Sequence, residues 1–183
     1  MAARWAAVVG ACAALVTSTV ADLTGQLCTD SPEQRWKLGS DGALQGTGAA
    51  GGPLQCLTAG AHESAGIALS LKPCGSPLTA EQKWEITAES FLVLSAQKAM
   101  CVNLEGYGKT PGTTVWGYAG CSTAVCKGNC DWHAVNASGS GFSHLQNKGS
   151  RLCLDSKGAP PPPPPPSPMP PMRTCAPDSP PAG

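Results

Sequence analysis

Charge is scarce in this chain of 183 residues: Asp, Glu, Lys and Arg make up 13 %, divided evenly between 12 acidic and 12 basic side chains. With no basic block and no acidic tail, neither nucleic acid nor a cationic partner is expected. Aromatics are few as well, at 5 %. Between residues 22 and 157 no segment has the apolar periodicity of an amphipathic helix, and no apolar run approaches the roughly 20 residues of a membrane span. A catalytic constellation is also missing. His62, His133 and His144 stand in no Ser/His/Asp, Cys/His or metalloprotease arrangement. Glu63, Glu81, Glu85, Glu89 and Glu105 have no spacing that marks an acid/base pair, and they read as surface charge. The chain itself is therefore not expected to be an enzyme. What it has in quantity is glycine, serine and threonine, a composition that suits short strands and many turns.

The first residues read as a targeting segment. Arg4 supplies a positive charge, Ala6 to Val16 is an unbroken run of apolar residues and glycine, and Thr19-Val20-Ala21 offers small residues for cleavage. Thr17-Ser18-Thr19 ends the run too early for a membrane anchor. The expected division is a signal peptide over 1–21, a globular domain over 22–157 and a tail over 158–183, in a secreted protein. Of ten cysteines, Cys12 would leave with the signal. The nine others should mostly form disulfides outside the cell, and their odd number leaves one free or bonded between chains. Asn136-Ala137-Ser138 is a glycosylation sequon, used or unused.

An internal repeat dominates the middle of the chain. Trp36, Trp84 and Trp132 stand 48 residues apart (84 − 36 and 132 − 84) in similar contexts: Glu33-Gln34-Arg35-Trp36, Glu81-Gln82-Lys83-Trp84 and Asn129-Cys130-Asp131-Trp132. A cysteine precedes each (Cys28, Cys74, Cys121), and a Cys-aliphatic-polar triplet follows each (Cys56-Leu57-Thr58, Cys101-Val102-Asn103, Cys153-Leu154-Asp155). Trp36/Leu38, Trp84/Ile86 and Trp132/Ala134 alternate with polar residues, as in half-buried strands. Turn sequences follow at Gly39–Gly42, Thr87–Ser90 and Ser138–Gly141, and second strands near Ala43-Leu44, Phe91–Leu94 and Phe142–Leu145. The tail differs. Thirteen of the residues from Ala159 to Gly183 are proline, seven of them consecutive from Pro160 to Pro166. Such a run lacks backbone donors and is expected to form an extended polyproline II rod, a linker or stalk outside any core.

These three Gln-x-Trp-type units with paired cysteines resemble the ricin B-type lectin family over roughly Leu23 to Ser156. The resemblance implies an all-β fold, a β-trefoil of three similar units, in which each Trp packs in a shared core and each Gln supports a hairpin. The family's unit runs Cys-Leu-Asp, then an aromatic-containing strand ending in Cys, then Gln-x-Trp. Here the units are circularly shifted: Cys153-Leu154-Asp155 either completes the N-terminal half-unit or opens a fourth unit with Cys175. Disulfides Cys56–Cys74 and Cys101–Cys121 are implied, with Cys28–Cys153 if the circle closes and Cys126–Cys130 as a local bridge.

By the same resemblance a working sugar pocket has an Asp after the Cys-aliphatic pair, an aromatic on the next strand and an Asn before the Trp motif. Hydroxyls need lone-pair groups and the C–H face of a sugar needs a flat ring. The unit from Cys101 to Trp132 comes nearest, with Asn103 in the Asp position, Asn129, and Trp116 and Tyr118 on one face of their strand; Tyr118 is nearer the stacking position. Tyr107, flanked by Gly106 and Gly108, is a candidate wall. The Cys56 unit has Thr58 and Lys72 instead. The split unit has Asp155 and Thr24, but Gln26 where a ring is needed. A secreted lectin with one weak pocket, for a galactose-type sugar, is the expected function, with glycans or glycoconjugates as partners. Its rivals are the non-catalytic module of a longer secreted glycoside hydrolase, with a fused catalytic domain, a trefoil protease inhibitor, and an extracellular structural protein. Cys121, Cys126, Cys130 and His133 also have zinc-like spacing, but secretion and the place of Cys121 in the repeat favour disulfides, so no metal or cofactor is expected.

Overall fold

Short apolar runs punctuated by turn residues produce twelve strands among the residues described by this computed structural model, which are 23–48, 52–63, 66–136 and 141–156. The expected signal peptide, the proline-rich tail, Cys12, Cys175 and most of the glycosylation sequon lie outside them. The strands are β1 (Thr24–Gln26), β2 (Trp36–Leu38), β3 (Leu44–Thr47), β4 (Leu54–Glu63), β5 (Gly66–Lys72) and β6 (Trp84–Ile86). They continue as β7 (Leu92–Leu94), β8 (Gln97–Leu104), β9 (Thr113–Ala119), β10 (Trp132–Asn136), β11 (Ser143–Asn147) and β12 (Cys153–Asp155). The single α-helix among the described residues, α1 (Thr123–Cys126), is one turn long. Three 3-10 turns lie at Pro32–Gln34, Ala80–Gln82 and Glu105–Tyr107.

Antiparallel pairing joins these strands into one sheet that closes on itself, because β1 pairs with β12 on one side and with β9 on the other. This all-β, barrel-like closure is that of a β-trefoil. Its units are β12 with β1–β3, then β4–β7, then β8–β11. Thr24 lies opposite Asp155 and Gln26 opposite Cys153, and Cys28 is bonded to Cys153. The C-terminal half-unit thus completes the N-terminal one, and Cys153 has its partner in Cys28 rather than in Cys175. Cys56–Cys74, Cys101–Cys121 and Cys126–Cys130 are the other three bridges.

The repeated tryptophans have one job, done three times. Each indole is buried in the common core, and each Nε1 donates to the carbonyl of the aliphatic residue that follows the repeat cysteine. The distances are 2.9 Å from Trp36 to Leu154, 2.8 Å from Trp84 to Leu57 and 2.9 Å from Trp132 to Val102. An indole hides about 200 Å2, which corresponds to about 5 kcal/mol of apolar burial at most. The hydrogen bond also satisfies a carbonyl that the barrel seals from water.

The two glutamines of the repeat act alike. Gln34 Nε2 donates to Leu27 O and Asp155 Oδ2, both at 2.9 Å, while its Oε1 accepts from the Thr29 N–H. Gln82 Nε2 donates to Pro73 O at 3.0 Å and Thr58 Oγ1 at 3.1 Å, and its Oε1 accepts from the Gly75 N–H. Each pins the incoming loop to the residue two places after the repeat cysteine.

The expected strand alternation is only partly realised. Trp36, Trp84 and Trp132 are buried, but Leu38 is 40 % exposed and Ala134 is exposed, while Ile86 packs at the margin of the core. The residue two places after each Trp therefore lies at the margin of the core or outside it. The Gly39–Gly42 and Thr87–Ser90 turns form as expected, closed by Gly39 N to Ala43 O and by Thr87 N to Phe91 O.

Candidate functional site

Asn103 and Trp116 stand directly opposite each other on β8 and β9, with Cys101 opposite Tyr118 two residues away. Antiparallel pairing places all four in one local patch, and alternation puts Trp116 and Tyr118 on the same face. Beyond the strand's end Gly120 and Cys121 both donate to Ala99 O, and Gly120 takes a positive φ. Trp116, rather than Tyr118, lies across from Asn103.

The polar centre is a chain of amides. Asn129 Nδ2 donates to Asn103 Oδ1 and to Leu104 O, both at 2.6 Å. Trp116 Nε1 donates to the same Asn103 oxygen at 3.4 Å. Asn103 Nδ2 in turn donates to Cys130 Sγ at 3.1 Å. Asn129 is itself held by Asn147, whose Nδ2 donates to Asn129 O at 2.8 Å. Both centre residues are buried, Asn103 with 8 % and Asn129 with 6 % of its surface exposed.

Around this centre Asn103, Tyr107, Trp116, Tyr118, Asn129, Gly106 and Val125 line a cleft of about 190 Å3. Five of the six residues singled out from the sequence are in that lining, and none of the lining residues carries a formal charge. Tyr107 is half exposed and its hydroxyl donates to Val125 O at 2.5 Å, which ties the Glu105–Tyr107 turn to α1. Val125 and α1 were not legible as part of the site. Ser122 caps that helix, its hydroxyl accepting from Val125 N at 3.3 Å.

Trp116 leans on the backbone of the neighbouring unit. Gly66, at the start of β5, has a φ of 153°, and a Cβ there would come within 2.5 Å of the indole. Gly66→Ala is therefore expected to displace the ring and destabilise the protein by about 1–3 kcal/mol, with a change in tryptophan emission. Unchanged emission and stability would contradict the packing.

The sixth candidate, Asp155, is elsewhere. It is buried in the split unit, opposite Thr24 and hydrogen-bonded to Gln34, and it does not line this cleft. The corresponding positions of the Cys56 unit hold Thr58 opposite Ser70 and Cys56 opposite Lys72, with no ring. Glu81, where the cleft unit has Asn129, lies on the surface. Its own backbone N–H and Thr79 hold its carboxyl below the ordinary range.

Nor do the cysteines form a metal centre in this oxidised state. The Sγ atoms of Cys101, Cys121, Cys126 and Cys130 lie within 4.8 Å of one another, but they are joined as two disulfides and supply no thiolate. His133, the fourth ligand in the zinc spacing, is not among them.

A family model for the ricin-type β-trefoil lectin domain matches residues 49–165. The chain belongs to that family. The match covers the units headed by Cys56 and Cys101 and the half-unit headed by Cys153, and it starts after β1–β3. No curated protein and no solved structure matches the chain significantly. The cleft lies in the unit headed by Cys101, within the matched residues.

Proposed function

We propose that the chain is a secreted, non-catalytic carbohydrate-binding module with one weak sugar pocket, formed by the cleft of the middle unit. Membership of a lectin family supports carbohydrate binding in general. The observation that carries the location is the convergence of two amides and three aromatic side chains on one uncharged cleft. A volume of about 190 Å3 is well under the roughly 300–1,000 Å3 of pockets that enclose drug-sized ligands. It suits one sugar ring, with the chain of a glycan continuing into solvent. Asn129 Oδ1 and the second N–H of Asn103 are the amide positions left for paired hydroxyls, and Trp116 or Tyr118 offers a ring for a C–H face.

A galactose-type sugar is proposed by analogy with the family. Four disulfides support an extracellular setting, and among the described residues no helix is long and apolar enough to cross a membrane. One small cleft implies a millimolar dissociation constant, about 4 kcal/mol, so multivalent display strengthens binding through effective concentration.

The test is a glycan array probed with the secreted chain displayed multivalently, including galactose- and N-acetylgalactosamine-terminated glycans. Asn103→Ala, Trp116→Ala and Tyr118→Ala are each expected to reduce binding at least about tenfold, on the order of 1.4 kcal/mol, while Asp155→Asn leaves it within about twofold. Binding that survives all three cleft substitutions and is lost in Asp155→Asn moves the site to the split unit. No binding to any glycan rejects the lectin reading.

A further inference from the structure

The cleft unit departs from the other two at a pair of positions, and the two departures fit each other. In the split unit and the Cys56 unit, the residue two places before the repeat Trp is glutamine. Its Nε2 donates to an acceptor two places after the repeat cysteine, Asp155 Oδ2 or Thr58 Oγ1. In the cleft unit the glutamine position is Cys130, bonded to Cys126 of α1. A disulfide sulfur has no hydrogen and can only accept. The residue facing it is Asn103, whose Nδ2 donates to that sulfur at 3.1 Å. The direction of the hydrogen bond is reversed relative to the other two units.

The other contacts of Asn103 leave its amide one orientation. The indole N–H of Trp116 can only donate, and it points at Asn103 Oδ1, which also receives Asn129 Nδ2. Oxygen toward Trp116 and Asn129, nitrogen toward sulfur, satisfies every group. A carboxylate at position 103 would present an acceptor to an acceptor in a site that is 8 % exposed, and an unpaired buried polar group is costly.

We infer that the Cys126–Cys130 disulfide is the positioning element of the cleft, and that it is what makes asparagine, rather than aspartate, the fitting residue at position 103. The sulfur holds the Asn103 amide with its oxygen turned to Trp116 and Asn129, and it anchors α1, whose Val125 forms one wall. The cleft is consequently neutral and its central amide fixed. The consequence for sugar recognition rests on the proposed function; the pairing of residues 103 and 130 does not.

The experiment is a thermodynamic cycle on the full secreted chain. Asn103→Asp is introduced into the native protein and into a Cys126→Ala/Cys130→Gln background that restores the glutamine of the other units. In the native protein the aspartate should lower the unfolding midpoint by roughly 4–10 °C. In the glutamine background it should leave the midpoint within about 1 °C or raise it, because the introduced glutamine then has an acceptor to donate to. An equal drop in both backgrounds overturns the inference.

A single variant gives a second test that keeps the disulfide, should the glutamine background not fold. Protonated aspartic acid carries an O–H donor that can serve the sulfur, so an aspartate at position 103 should have a folded-state pKa above its unfolded value of about 3.9. The destabilisation of Asn103→Asp relative to the native protein should then be full near pH 7 and shrink as pH falls toward 4. The lining residues include no other carboxyl and no imidazole. A deficit that does not change with pH overturns the inference. Sugar affinity, where glycan binding is found, should fall about tenfold or more in Asn103→Asp and recover in the glutamine background. Absence of all glycan binding with the stability coupling intact rejects the lectin reading alone.

Discussion

Replacing Cys28 and Cys153 by alanine is expected to destabilise the protein by about 5 kcal/mol, more than the loss of any of the other three bridges. The reason is the length of chain each bridge ties off. Cys28–Cys153 spans 125 residues, against 18, 20 and 4 for the others. By loop-closure entropy the two intermediate bridges contribute about 3 kcal/mol each and the shortest about 2 kcal/mol. The long bridge also sits where the barrel is closed by few residues. Strands β1 and β12 meet through three residue pairs, so without the bridge the ends are held by those pairs, by the packing beneath them and by hydrogen bonds such as Trp36 to Leu154 and Gln34 to Asp155. Equilibrium denaturant unfolding of the double variant measures the effect. The midpoint should fall and the slope rise, because the unfolded chain without its longest crosslink exposes more surface. A loss no larger than that of the Cys56/Cys74 double variant would mean that the unfolded ensemble keeps its ends close without help.

That bridge marks how far the sequence could be read. Three tryptophans at equal intervals, each with flanking cysteines, determine a threefold arrangement because each indole must reach the same core and the same kind of carbonyl. The repeat also makes the chain ends complementary, so closure through Cys28 and Cys153 was accessible as one of two alternatives. Leu38 and Ala134 were not legible as exposed, since a short strand looks the same whether it stays in a core or leaves it. Within the cleft unit, strand alternation was enough to put Trp116 and Tyr118 on one face, and the lining of the cleft agrees. Two things lay beyond sequence pattern. The short helix α1 is too brief to show periodicity, and the contact between Asn103 and Cys130 joins residues 27 positions apart. Set against the family pattern, Asn103 stands where an aspartate is expected. Its partner shows it to be the residue that an acceptor-only neighbour requires.

The second large effect is expected at Trp132. Trp132→Ala should cost about 3–5 kcal/mol, the range for removing a large aromatic side chain from a core, and Trp84→Ala should cost about the same. Both rings are buried in one cluster, and both donate to a sealed backbone carbonyl, of Val102 and Leu57 respectively. Their consequences for the cleft should differ. Val102 precedes Asn103, and Asn129 and Cys130 lie in the segment that leads into Trp132, so the indole braces both sides of the amide pair. Trp84 braces Thr58 and Gln82, which face each other in a unit with Ser70 and Lys72 where the cleft unit has its rings. At a temperature where both variants remain folded, Trp132→Ala should therefore lose sugar binding and Trp84→Ala should retain it to within about threefold, or roughly 0.7 kcal/mol. Trp132→Phe should fall between, costing about 1–3 kcal/mol as the Val102 carbonyl loses its donor. Equal loss of binding in both alanine variants would show that the cleft depends on the stability of the whole barrel rather than on its own unit. Equal retention would separate the cleft from the core beneath it, and would leave the disulfide and α1 as the groups that hold its shape.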